Sequence, residues 1–139
     1  MEYKRFGDKL FLRLDKGDEI VESVRAAATA ENITAGSVSG IGATDDFTVG
    51  VFGLEKKAYD EFSFSGNHEI TSLVGNISFT DGKPYVHLHI ICAGKGGNTV
   101  GGHLIKAVVS LTAEIVIDVA NGEVGRKRDE TLGINLWKF

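Results

Sequence analysis

The chain has 139 residues, a formal net charge of −4 and 42% hydrophobic residues, which predicts one folded domain over residues 1–139 and excludes a disordered chain. A domain with net negative charge binds phosphate backbones poorly, so the composition counts against nucleic-acid binding. The single cysteine excludes an internal disulfide, and the absence of an apolar signal core or membrane-length apolar run predicts a cytoplasmic protein without membrane segments.

The first third of the sequence predicts a strand, a helix and a glycine-rich strand. The leucines of Lys9–Leu14 alternate as in a half-buried strand. The apolar residues of Glu19–Glu31 recur at helical spacing, and we expect Asp18 to cap that helix. The small, glycine-rich segment Ile33–Thr44 is typical of a strand with bends or close backbone contacts.

The remaining sequence predicts strands joined by tight turns. Asp81-Gly82 is a strong hairpin signal, Leu104–Ser110 fits either a strand or a short helix, and the basic run Arg126-Lys127-Arg128 is interpreted as a solvated turn. One helix with seven to nine strands predicts an α+β fold with a mostly antiparallel sheet and the helix packed on it. Further strands are expected at Phe47–Phe52, Ala58–Ser65, Glu69–Phe79, Val86–Cys92, Leu111–Ala120 and Leu132–Phe139.

Three of the four histidines suggest a metal site. His87 and His89 lie two residues apart in the strand Val86–Cys92, so their side chains project from one face roughly 6.5–7 Å apart. The glycine-rich stretch that follows can turn the chain and bring back His103. Three neutral imidazoles leave a tetrahedral zinc, or another divalent metal, with one open position for water or a small anionic ligand. The alternative is that these histidines are polar residues on a half-exposed strand.

Four other residues are candidates for supporting roles. Glu114, on the less apolar face of its strand, fits a solvated or interface-paired glutamate, an acceptor for a ligand histidine, or a general base near metal-bound water. Asn76 borders the site if its strand is the hairpin partner of the histidine strand; otherwise it satisfies backbone groups at a bend. His68 fits a surface turn better than a fourth ligand, and Cys92 fits a small core residue.

The order of four motifs resembles a known family. The predicted helix is followed by S-G-I-G-A at Ser39–Ala43, S-L-V-G-N-I-S at Ser72–Ser78, H-L-H at His87–His89 and G-G-H-L at Gly101–Leu104. In combination, and over nearly the whole chain, these motifs resemble the plant and prokaryote conserved (PPC) domain. The resemblance implies an α+β fold, a homotrimer and a metal site, usually zinc, at the three histidines His87, His89 and His103.

The function most consistent with these features is a homotrimeric, metal-binding association module. In plant members of the family the domain follows DNA-binding hooks of R-G-R-P type, and this sequence contains none. A DNA-binding protein is therefore a disfavoured alternative. Another alternative is a zinc-dependent enzyme that uses metal-activated water, although no H-E-x-x-H or other reaction signature is present.

Overall fold

The fold is that of one extended β-sheet with a single α-helix, seen in a computed structural model that describes residues 1–139. Every strand pairing is antiparallel except a one-residue parallel bridge between Phe79 and Gly125. The predicted α+β fold with a mostly antiparallel sheet is therefore confirmed. The elements in chain order are β1 (Glu2–Phe6), β2 (Lys9–Asp15), α1 (Ile20–Ala30), β3 (Gly36–Gly53), β4 (Ala58–Thr80), β5 (Lys83–Ala93), β6 (Thr99–Val119), β7 (Gly125–Asp129) and β8 (Ile134–Lys138).

Three long strands bend where the sequence predicted breaks. The pairing of β3 with β4 shifts register between Gly40 and Gly42 and again between Thr44 and Asp46. Such irregularities bend a strand without ending its hydrogen-bonded ladder. The predicted strands therefore merge in pairs: Ile33–Thr44 with Phe47–Phe52 in β3, Ala58–Ser65 with Glu69–Phe79 in β4, and Leu104–Ser110 with Leu111–Ala120 in β6.

The hydrophobic core lies between α1 and one face of the sheet. Ala27 and Ala28 are fully buried in the helix, and their small side chains allow it to lie close to the strands beneath. Strands β3–β4–β5–β6 pair in a closed cycle, because β6 also pairs with β3. The largest fully buried side chains include Phe47, Leu10, Leu14, Ile20, Leu73, Ile77, Leu88, Ile90, Ile115 and Ile117.

The helix begins one residue later than predicted, and a different side chain caps it. Glu19, not Asp18, occupies the N-cap position and accepts a 2.8 Å hydrogen bond from the Glu22 backbone N–H. Its other carboxylate oxygen accepts from the Ala107 backbone N–H at 2.9 Å, which ties the helix start to β6. Asp18 instead accepts from the Asp15 backbone N–H at 2.9 Å.

The helix spans eleven residues. The structure contains no helix with the length and apolarity required to cross a bilayer.

The basic run forms strand β7, so its prediction as a solvated turn was wrong. β7 pairs with β8 across five residue pairs, and the Phe79 backbone N–H donates to the Val124 carbonyl at 2.8 Å to attach this hairpin to β4. Strand alternation places Arg126 and Arg128 on one face and Lys127 on the other. These three charged positions show no alternation of apolar and polar residues, and the Ser78 contact that ties Arg126 to β4 lies 48 residues earlier in the sequence.

Candidate metal centre

Strands β5 and β6 bring the three predicted histidines together on the sheet face opposite the core. Leu88 and Ile90 of β5 are buried, so the alternate residues His87 and His89 point away from the core. His89 pairs directly with His103 of β6. One nitrogen from each ring lies within 4.8 Å of the others, with His89 exposed and the other two half-buried.

Glycines let the strands approach closely beside the histidines. A Cβ atom at Gly75 of β4 would lie 2.0 Å from the carbonyl oxygen of His87, and one at Gly101 would lie 2.4 Å from that of Ile90. A Cβ atom at Gly102 would lie 2.9 Å from the Gly50 carbonyl oxygen. Neighbouring backbones therefore approach closely beside His87 and His103.

The imidazole cluster favours neutral rings. The Nδ1 atom of His103 is buried without a hydrogen-bond partner, and the Tyr59 ring stacks on this imidazole at 4.7 Å between centroids. Burial, followed by the neighbouring His87 and His89, lowers the pKa of His103 to about 4. Burial also lowers the pKa of His87, with smaller contributions from His89 and Arg126. Both half-buried rings are thus neutral at neutral pH, with lone pairs available.

This donor set fits a divalent transition metal. A buried nitrogen without a partner costs about 1–3 kcal/mol, and coordination would remove that cost at His103. Nitrogens held about 2.0–2.1 Å from one tetrahedral ion lie roughly 3.4 Å apart, so the rings need only a small closing movement from the observed separation of up to 4.8 Å. Imidazoles accept zinc, and also copper, nickel and iron.

No fourth protein ligand joins the three histidines. Cys92 is fully buried in the core, where burial raises the pKa of its thiol to about 12; its prediction as a core residue is confirmed. His68 lies in β4, not in the predicted turn, and its Nδ1 atom is 2.7 Å from the Gly66 carbonyl oxygen. Its ring packs edge-on against Phe47. Three imidazoles therefore leave a tetrahedral ion with one position open.

Arg126 of β7 is a site residue that the sequence interpretation missed. Its guanidinium donates to Ser78 Oγ at 2.8 Å, to Asn76 Oδ1 at 3.0 Å and to the Asn135 carbonyl at 2.9 Å. It also lies 4.4 Å from the centre of the Tyr85 ring. Burial lowers the pKa of Arg126, but a guanidinium stays charged at neutral pH. All of these partners are neutral, so the charge has no carboxylate beside it.

A cavity of about 360 Å³ adjoins the histidines and is rimmed by cations. Its wall includes His87, His103 and three basic side chains, Lys57, Arg126 and Arg128, and no carboxylate. The Lys57 ammonium donates only to the Glu130 backbone carbonyl, at 3.2 Å. Arg128 lies 3.6 Å from the Glu130 carboxylate in an exposed ion pair, which is a weak contact. The remaining wall is largely aromatic and apolar and comprises Phe52, Ala58, Tyr59, Tyr85, Gly133, Ile134 and Asn135.

The structure separates the two predicted supporting residues. Asn76 pairs directly with His87 across β4 and β5, so it borders the histidines as expected from the hairpin. Its side-chain oxygen accepts from Arg126, not from a histidine. Glu114 lies eleven residues along β6 from His103, about 35 Å of extended strand, and lines a different cavity. A carboxylate at that position has no contact with the histidine cluster.

Comparisons with known proteins agree with the fold and with the motifs. A model of the Plants and Prokaryotes Conserved (PCC) domain, the same family as the PPC domain, matches residues 1–121. No curated protein matches the chain.

Three solved structures resemble the whole chain. A metal-containing protein from Archaeoglobus fulgidus is 34% identical, with a TM-score of 0.87 over 99% of this chain and 97% of that one. A PPC protein from Pyrococcus horikoshii is 30% identical, with a TM-score of 0.87 over 99% and 94%. A candidate DNA-binding protein from Bacteroides thetaiotaomicron is 33% identical, with a TM-score of 0.96 over 99% and 96%.

Proposed function

The chain belongs to the Plants and Prokaryotes Conserved domain family, and on that premise we propose that it is a homotrimeric binding module that holds one zinc ion per subunit. The ligands are His87, His89 and His103. The open fourth position accepts water or a small anion. The observation that carries this proposal is the convergence of three imidazoles, together with the buried Nδ1 atom of His103 that has no hydrogen-bond partner.

Two further findings support the metal. The Archaeoglobus fulgidus relative is a metal-containing protein. In the present chain, the lowered pKa values of His87 and His103 keep the imidazoles in the form that coordinates a cation. Zinc is the proposed ion because three imidazoles and one open position are a common zinc environment.

The proposed trimer is supported by an exposed apolar surface away from the histidines. Phe11, Ile41 and Val74 are each about half exposed and line a cavity of about 860 Å³ over β1, β2, β3, β4 and β6. A contiguous apolar surface of this kind is a common site of association. Covering it with another copy removes apolar area from water, which favours association.

A binding role is favoured over hydrolysis because the cavity offers no general base. Metal-activated water needs a group that takes up its proton near the metal. The carboxylate predicted for that role, Glu114, lines the other cavity, and the smaller cavity contains no carboxylate. The residues that line it are suited to holding a ligand rather than to moving a proton.

A DNA-binding role has little support in the present chain. The Bacteroides thetaiotaomicron relative is a candidate DNA-binding protein, but this chain carries a net charge of −4 and lacks the R-G-R-P hook. Phosphate contacts weaken steeply as salt rises. We therefore expect no gel shift of duplex DNA at low salt, and a salt-sensitive shift would contradict the proposal.

Elemental analysis tests the metal site. The protein is purified without a metal-affinity tag, beside a variant in which His87, His89 and His103 are all replaced by alanine. We expect about one zinc per chain in the wild type and none in the variant. His68→Ala is the matched control and is expected to retain the zinc, because His68 lies outside the cluster. A wild type that takes up no metal even after zinc addition would overturn the proposal.

A further inference from the structure

We infer that the cavity of about 360 Å³ beside the histidines binds a small organic carboxylate that completes the metal coordination. Arg126 is its main recognition residue. This inference rests on the proposed metal site and deepens it. It names the class of ligand and the residues that select it.

The charge balance around the histidines requires an anion. Three neutral imidazoles leave the charge of a divalent ion uncompensated, and Arg126 adds a second cation whose hydrogen-bond partners are all neutral. A desolvated charge without a counter-ion is costly. No carboxylate of the protein lines the cavity, so an anionic ligand is the group that would balance these charges.

Arg126 is oriented for this task. Its three hydrogen bonds to Ser78, Asn76 and Asn135 use one N–H on each guanidinium nitrogen. A guanidinium has five N–H groups, so one N–H on Nη1 and one on Nη2 remain. The protein contacts and the Tyr85 ring hold the group in one place, which reduces the ordering cost of binding. A fixed pair of donors is well suited to a carboxylate.

The cavity walls indicate an organic ligand rather than a bare inorganic ion. Phe52 packs edge-on against Tyr59 at 5.2 Å between ring centres, and both rings line the cavity together with Ile134. Small-molecule sites typically combine such apolar walls with a few polar groups in a volume of about 300–1,000 Å³. The apolar walls fit the body of the ligand, while the exposed Lys57 and Arg128 side chains attract its charge.

The hairpin β7–β8 carries this selectivity. It supplies Arg126, Arg128, Ile134 and Asn135 to the cavity, and it lies beyond the residues 1–121 that match the family model. The histidines lie within the matched residues. The three proposed metal ligands and Arg126 therefore lie in separate parts of the chain, which allows them to be substituted separately.

Calorimetric titration with benzoate tests the inference. Benzamide is the neutral control of the same shape, and the metal content of every sample is measured. We expect benzoate to bind the zinc-loaded protein at least tenfold more tightly than benzamide does, and at least tenfold more tightly than it binds the zinc-free protein. Arg126→Met is expected to weaken benzoate binding about tenfold or more, with zinc retained.

Lys127→Met is the matched control, because it removes one positive charge from the same strand on the opposite face; we expect it to change benzoate affinity by less than twofold. If Arg126→Met fails to fold, the double variant Lys57→Met/Arg128→Met replaces it. Those two side chains also line the cavity, and we expect a three- to tenfold loss.

The outcomes separate the two proposals. One zinc per chain without benzoate binding, or with binding unaffected by these basic residues, would overturn the carboxylate site and leave the metal site standing. Tighter binding of inorganic phosphate than of benzoate would also overturn the organic carboxylate. A protein that takes up no metal would overturn both, because the inferred site includes the open position of the metal.

Discussion

The two cavities of this molecule differ in what their walls leave unsatisfied. The larger, of about 860 Å³, is half lined by hydrophobic residues, and its charged residues are of both signs, with Arg13 3.1 Å from the Glu2 carboxylate. The smaller, of about 360 Å³, has a buried nitrogen without a partner at His103 and a cation without a carboxylate at Arg126. The smaller cavity is therefore the better suited of the two to bind a metal and an anion, although the larger has more than twice its volume.

We therefore propose that the larger cavity serves association of subunits and the smaller one serves ligand binding. The larger cavity gains most from being covered by apolar surface, as in a subunit contact. The smaller cavity would be stabilised by a metal and an anion, because these would coordinate the imidazole lone pairs and pair with the Arg126 charge. We therefore expect substitutions in the larger cavity to change association and those in the smaller cavity to change ligand binding, each without affecting the other property.

The substitution with the largest expected effect on the metal site outside its ligands is Gly75→Ala. The new Cβ would lie 2.0 Å from the His87 carbonyl oxygen, so β5 must move and displace the ligand. We expect zinc affinity to fall by about 10- to 100-fold, as for residues that orient metal ligands, and stability to fall by about 1–3 kcal/mol. Competition with a chromogenic chelator measures the affinity.

Gly40→Ala is the control for this prediction. Its Cβ would lie 2.9 Å from the Glu114 carbonyl oxygen, which also strains a strand pair but far from the histidines. It is expected to lower stability and to keep zinc affinity within threefold of the wild type. Equal loss of zinc in both variants would indicate that metal affinity follows general stability and not the position of His87.

A smaller effect, on subunit association and not on zinc affinity, is expected for Ile41→Glu. Ile41 lines the larger cavity and is 58% exposed, so the carboxylate is solvated in the monomer and desolvated in an assembly. Central interface positions contribute about 2 kcal/mol or more, so we expect subunit affinity to fall by roughly 30-fold, with zinc retained. Light scattering across a dilution series measures the assembly.

Leu54→Glu provides the comparison, because Leu54 is 75% exposed but does not line that cavity. It is expected to leave the trimer intact. A wild type that is monomeric at micromolar concentration would contradict the trimer itself, and dissociation caused equally by both variants would argue against the larger cavity as the contact.

A prediction that involves neither cavity variant is the pH dependence of the stability of the metal-free protein. The pKa of His103 is lowered from 6.5 to about 4. Above pH 6.5 the imidazole is neutral in both states, so stability is level. Between pH 6.5 and about 4 the unfolded chain binds the proton and the folded protein does not, so stability falls as pH falls. The direction at His87 is the same.

Urea unfolding of metal-free samples measures this dependence. We expect the denaturation midpoint to decline less between pH 6.5 and 4 in the triple-alanine variant than in the wild type. Identical slopes would show that the histidines are not desolvated in the folded protein. Carboxylates contribute equally to both proteins, so the difference between the slopes isolates the imidazoles.

The sequence predicted what depends on local spacing. The i, i+2 relation of His87 and His89 and the G-G-H arrangement at His103 suggested a shared site, and the structure brings all three imidazoles together. The helix and the hairpin at Asp81-Gly82 also follow from local signals, and the structure has both.

The features that the sequence did not predict depend on distant partners. Arg126 was predicted to lie in a charged turn. Its hydrogen-bond partners Ser78 and Asn76 lie about fifty residues earlier, so the local sequence does not indicate these contacts. Only the alternation of Arg126 and Arg128 around Lys127 hinted at a strand. The continuity of β3, β4 and β6 through their bends likewise depends on pairing with neighbouring strands, so the sequence predicted the breaks and not the joined strands.

The most direct test of the central claim is X-ray absorption at the zinc edge on the zinc-loaded protein. We expect the spectrum to show three imidazole nitrogens and one further oxygen or nitrogen atom at about 2.0–2.1 Å from the zinc, with no sulfur. Addition of benzoate is expected to change only the fourth neighbour of the zinc and to leave the three imidazole nitrogens in place. A sulfur neighbour at about 2.3 Å, or a shell with fewer than three imidazoles, would contradict a site built from His87, His89 and His103.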